Sequence, residues 1–116
     1  MRSVSETCSV GQLRRAIEAG VAPVVLDVRS RREYAAGHIP GACHVPFWQA
    51  WYRRVPRPRD GGPVVVYCGH GPRARIAAAL LRLRGVSVAL LTGHMARWRR
   101  EHGPEERGDP VGPPSV

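Results

Sequence analysis

Lysine is missing from this chain. All eighteen basic residues are arginine, against nine acidic ones, and the formal net charge is +9. Codon bias alone can produce arginine-only usage. The arginines are spread along the whole chain, in pairs such as Arg14-Arg15, Arg31-Arg32, Arg53-Arg54 and Arg99-Arg100. No helix carries a basic stripe interleaved with aromatics, so the charge does not point to nucleic acid. It reads better as a positive field that draws small anions toward a cleft. Cysteine is also scarce: Cys8, Cys43 and Cys68 are an odd number without paired spacing. That excludes a disulfide framework and fits reduced thiols. No apolar run approaches the ~20 residues that span a bilayer. No N-terminal stretch has the charged start, apolar middle and small-residue site of a signal peptide. The expectation is a soluble, cytoplasmic, single-domain protein with no membrane partner.

What the chain does have is a cysteine in a special place. Val64-Val65-Val66-Tyr67 is an apolar run, Cys68 closes it, and Gly69-His70-Gly71-Pro72-Arg73-Ala74 leads into the helical pattern Ile76-Ala77-Ala78-Ala79-Leu80-Leu81. Between a buried strand and a helix start, unpaired N–H groups and the helix dipole favour an anion. Two glycines let the loop fold its amides into a nest. Cys68 is therefore the candidate nucleophile, and Gly69 to Ala74 are the candidate substrate-binding loop.

The remaining pattern alternates strands and helices. A short edge strand is expected around Arg2–Ser5. Ser9 to Gln12 and Ser30 to Glu33 fit capping boxes, with helices ending at Gly20 and Gly37. Val24–Val28 reads as a strand covered on both faces, and His38-Ile39-Pro40-Gly41 as a turn. Ala42–Val45 is a brief strand, and residues 47–62 are irregular. A helix from Pro72 to Arg84, apolar around most of its circumference, precedes a strand at Val86–Leu91 and a helix at Met95–His102. This predicts an α/β fold in three layers, a central parallel sheet flanked by helices on both faces. Ligands of such sheets bind outside the carboxyl ends of the strands, where Cys68 and Asp27 both lie. The domain is expected to occupy residues 1–104, with 105–116 a flexible Pro/Gly-rich tail.

Four segments resemble the single-domain rhodaneses, the sulfurtransferase family. They are Leu26-Asp27-Val28-Arg29 with Glu33-Tyr34; Gly37-His38-Ile39-Pro40-Gly41-Ala42; the six-residue loop Cys68 to Arg73; and Leu91-Thr92-Gly93 with Trp98 and Gly103-Pro104. His94 stands where the family often has a second glycine. Gly69 stands where the loop's second residue is often arginine, and His70 is an uncommon third residue.

The resemblance implies a rhodanese-like fold and a two-step cycle without a cofactor or metal. Cys68 takes sulfane sulfur from a small anionic donor such as thiosulfate. It then passes that sulfur to cyanide, a thiol or a protein acceptor. Arg73 would orient the donor's oxygens.

Asp27 is expected to support the loop by accepting backbone amides, and Arg29 to pair with Glu33 at the surface. Cys43 reads as core, Cys8 as exposed, and His38 as a turn-fixing residue. His70 is open between tuning the pocket and lying in solvent. Trp48, Trp51 and Tyr52 are open between pocket wall and core. The spacing of Cys43, His44, Cys68 and His70 matches no zinc pattern. Three rivals remain: a persulfide carrier, a protein-binding module without turnover, and a phosphatase or arsenate reductase of the same fold. The last needs arginine six positions after the cysteine, where this chain has Ala74.

Overall fold

The computed structural model describes residues 7–110. Its strands are β1 (Thr7–Cys8), β2 (Val25–Asp27), β3 (Cys43–His44), β4 (Val64–Tyr67) and β5 (Val88–Leu91). Its helices are α1 (Val10–Glu18), α2 (Arg31–Ala36), α3 (Pro72–Leu83) and α4 (His94–Arg100), with a 3-10 turn at Phe47–Gln49. The strands form one sheet in the order β1-β5-β4-β2-β3, and every pairing is parallel. β4 is therefore central, which agrees with its unbroken apolar sequence.

Both predicted capping boxes form. Ser9 Oγ accepts the Gln12 N–H at 3.0 Å, and Gln12 Oε1 accepts the Ser9 N–H at 2.8 Å. Ser30 and Glu33 repeat the exchange at 3.2 and 3.0 Å. These bonds satisfy donors that a helix start leaves open, and so they fix where α1 and α2 begin.

Side-chain alternation sorts the core into two halves. Val64, Val66, Leu26 and Val28 face α3 and its Ala74, Ala77, Ala78 and Leu81. Val25, Val65 and Tyr67 face the other side, where α1, α2 and α4 contribute Leu13, Tyr34, Met95 and Trp98. The expected three layers are thus present, with α3 alone among the helices covering one face. α3 is less enclosed than its sequence suggests. Ile76 and Leu83 are exposed, so only one stripe of it is core. Among the described residues, nothing covers Ile76 and Leu83 on its remaining circumference.

The Arg2–Ser5 strand lies outside the described residues; the edge strand next to β5 is Thr7–Cys8. The expected boundary after residue 104 falls inside a hydrogen-bonded stretch. The His38 and Glu106 backbones exchange bonds of 2.9 and 2.8 Å, and the Gly108 N–H donates to the Ala35 carbonyl at 3.0 Å. Trp98 Nε1 donates to the Pro104 carbonyl at 2.7 Å and anchors the start of this segment. No helix among the described residues is long and apolar enough to cross a membrane.

Candidate active site

The alternation along β4 decides where the sulfur goes. Cys68 follows Tyr67 and falls on the α3 face, fully buried in the cluster with Ala74 and Ala77. Its Sγ accepts the Gly71 N–H at 3.0 Å. Gly71 has φ 138°, a region that side chains strain to enter, and a Cβ there would stand 3.4 Å from His94 Nε2. Glycine is what lets the chain turn its amide onto the sulfur. Pro72 then opens α3 at a position where a missing N–H costs nothing. Among the described residues, the N–H groups of Gly69, His70, Arg73 and Ala74 meet no protein acceptor. Unsatisfied donors therefore lie in the loop that follows Cys68 and in the first turn of α3, at the positive end of a helix.

The start of α4 holds the loop's carbonyls on the far side. Met95 N–H donates to the Cys68 carbonyl at 3.0 Å, and Ala96 N–H to the Gly69 carbonyl at 3.1 Å. His94 Nδ1 accepts the Cys68 N–H at 3.3 Å. Burial, then Arg75 and His70, push the His94 pKa below the ordinary histidine value.

On the loop's other flank, Arg73 Nη1 and Nη2 donate to Glu33 Oε1 and Oε2 at 2.6 and 3.0 Å. This bidentate pair is the main reason that the Glu33 carboxyl falls to about 2; burial opposes it, and the Ser30 bonds add to it. The same pairing raises Arg73. His70 is exposed.

The model of the rhodanese-like domain family matches residues 9–101. The chain belongs to that family.

Its relatives include the thiosulfate sulfurtransferase GlpE of Pseudomonas fluorescens, 40% identical over 84 residues, covering 71% of this chain and 75% of that protein. An HTH-type transcriptional regulator of Mycobacterium tuberculosis is 35% identical over 112 residues, 95% of this chain. The chain spans 49% of that regulator, about half its length. The solution structure of a rhodanese-like domain from Anabaena sp. superposes with a TM-score of 0.77 at 30% identity, covering 97% of this chain and 90% of that one. Sulfur transfer is thereby supported at the level of the family.

Several sequence expectations change on this rhodanese-like frame. Asp27 is one position out of phase with Leu26 and Val28, so it faces away from Cys68. It does not serve the loop's amides. Its carboxylate takes Arg29 Nε and Nη2 at 3.0 and 2.7 Å, the Tyr67 hydroxyl at 2.6 Å and the Arg29 N–H at 2.9 Å. Arg29 is buried in that pair rather than joined to Glu33 at the surface, and it also reaches the Gly37 carbonyl at 2.7 Å. Asp27 is partnered with Tyr67 across β2 and β4. Burial, with Asp27 beside it, drives Tyr67 well above its ordinary value, so its hydroxyl stays a donor.

Trp48, Trp51 and Tyr52 are exposed and belong to no core cluster. Cys43 packs at the core's edge, and burial raises its thiol. Cys8 is half-buried rather than exposed, with its thiol raised likewise. His38 stacks on Tyr34 at 3.7 Å, and its Nδ1–H donates to the Tyr34 carbonyl, which fixes its turn. Glu33 and His94 are the site residues that sequence reasoning did not assign. The capping box marked Glu33, but only the fold brings it to Arg73.

A groove of about 830 Å³ borders Ala22–Val24 and Pro58–Pro63 at the strand ends opposite Cys68. It contains no residue of the loop.

Proposed function

We propose that this protein is a sulfurtransferase that works through a Cys68 persulfide. The observation that carries the reading is the Gly71 N–H on Cys68 Sγ at 3.0 Å, at the head of a helix whose neighbouring amides meet no acceptor among the described residues. Such a cradle suits an anionic sulfur. The Cys68 thiolate, its proton lost to water, attacks the outer sulfur of thiosulfate. A new S–S bond forms at Cys68, and the old one breaks with its electron pair on the departing sulfite. Cyanide or a thiolate acceptor then attacks the outer persulfide sulfur. That sulfur leaves with the acceptor, and Cys68 returns to thiolate. No outside oxidant or reductant is needed.

Gly69, His70, Gly71, Pro72, Arg73 and Ala74 form the loop that receives the donor, mostly through backbone donors. Arg73 has both terminal nitrogens on Glu33, so its part is to fix the loop's shape rather than to grip the donor. Ala74 is fully buried against the sheet, which leaves no room for an arginine there and argues against phosphatase chemistry. Asp27 acts on the sheet face opposite Cys68 by holding Arg29 and Tyr67.

The test is mass spectrometry after incubation with thiosulfate. Cys68 should gain one sulfur, ~32 Da, and lose it to cyanide as thiocyanate, with Cys68→Ser abolishing both steps. Persulfide that forms but turns over only with a protein acceptor would make the domain a carrier. Turnover that survives Cys68→Ser would remove Cys68 from the mechanism.

A further inference from the structure

His94 is placed against the loop, within hydrogen-bond reach of the Cys68 amide and beside Gly71. It is the first residue of α4, with φ 54°. That left-handed conformation is one that most side chains avoid, and its occurrence near a reactive group points to a role. The ring is buried. Nδ1 accepts the backbone N–H of Cys68 at 3.3 Å, so in this arrangement the neutral ring carries its proton on Nε2. Nε2 lies beside Gly71, the residue that donates to the sulfur. It makes no hydrogen bond to another described residue.

We propose, resting on the sulfur-transfer reading, that His94 is a positioning residue. Its neutral imidazole holds the Cys68 amide and so keeps the Cys68–Gly71 turn in its sulfur-binding shape. A second proton on the ring turns Nδ1 into a donor facing another donor, and the bond is lost. The groups around the ring oppose that proton. His70 and Arg75 act on it from the loop and α3, and Arg97 lies against Gly93 just before it. No carboxylate among the described residues acts on it. At neutral pH the device is therefore set in its holding state.

The test uses the full chain as wild type, His94→Gly and His94→Asn. Glycine takes φ 54° freely but offers no acceptor. Asparagine tolerates that conformation and offers an oxygen near Nδ1, but it does not titrate. In the wild type, the Cys68 amide resonance should shift with pH in step with the His94 ring signals, at a midpoint below the ordinary histidine value. That shift should vanish in His94→Asn. Persulfide formation at pH 7.5 should fall about 10-fold in His94→Gly and recover in His94→Asn. On the acid side, the wild-type rate should fall with one more proton than the His94→Asn rate. A Cys68 amide blind to the His94 titration overturns the proposal, as does His94→Gly matching wild type while wild type takes up sulfur. If no protein takes up sulfur yet the amide follows His94, the positioning role stands and the sulfur-transfer reading fails.

Discussion

Glu33→Gln separates charge from capping at the flank of the loop. Glutamine keeps an oxygen for the Ser30 N–H, which Glu33 Oε1 accepts at 3.0 Å, but it removes the charge that Arg73 holds at 2.6 Å. The Glu33 carboxyl stands at about 2 against an ordinary 4.5. That gap of about 2.5 pH units, at ~1.36 kcal/mol each, bounds the linked stabilisation at ~3.4 kcal/mol. The two side chains are 33% and 39% exposed, and solvent screens such pairs strongly. A realistic loss is ~1 kcal/mol, or a fall in Tm of roughly 4–8 °C for a domain of this size. The folded pKa lies below the unfolded one, so this stability is fully present above pH 4.5 and is lost as pH falls toward 2. Urea denaturation of both proteins at pH 7, 5, 4 and 3 provides the measurement. The gap between them should be constant from pH 7 to 5 and shrink below that. A gap unchanged at pH 3, or none at pH 7, would refute the reasoning.

Asp27→Asn should cost ~3–5 kcal/mol, because it leaves the buried Arg29 guanidinium without its anion; denaturant midpoints would show it, and a loss below ~1 kcal/mol would mean that the pair is poorly coupled. The wild type should be inert toward aryl phosphates, since Ala74 is core; hydrolysis that depends on Cys68 in a phosphate-release assay would overturn the loop argument. Persulfide formation from thiosulfate should slow modestly as salt rises from ~0.01 to ~0.15 M, because the Debye length shortens from ~30 to ~8 Å and screens the net positive charge. A stopped-flow rate independent of salt would make that charge irrelevant to donor capture.

Much of this site was readable from the chain itself. The apolar run 64–67 set a central parallel strand, Gly71 and Pro72 set the helix start, and Cys68 stands between strand and helix, where its sulfur accepts the Gly71 N–H. Two Ser-x-x-Gln/Glu boxes fixed the starts of α1 and α2 by local hydrogen bonds, which sequence spacing encodes directly. What local spacing does not encode is which partner a long polar side chain finds. Glu33 lies four residues from Arg29 and forty from Arg73, yet it pairs with Arg73, because Arg29 is drawn inward to Asp27. Asp27 ends β2 and Cys68 follows the last residue of β4, and this phase difference of one residue puts them on opposite faces of the sheet. His94 reaches the Cys68 amide only because β5 lies beside β4 and delivers α4 against the loop. The sequence determined the strand, the loop and the place of Cys68 between strand and helix, since these depend on neighbours in the chain. The tertiary structure decided the loop's clamps, since these depend on strand order and on which face each side chain meets.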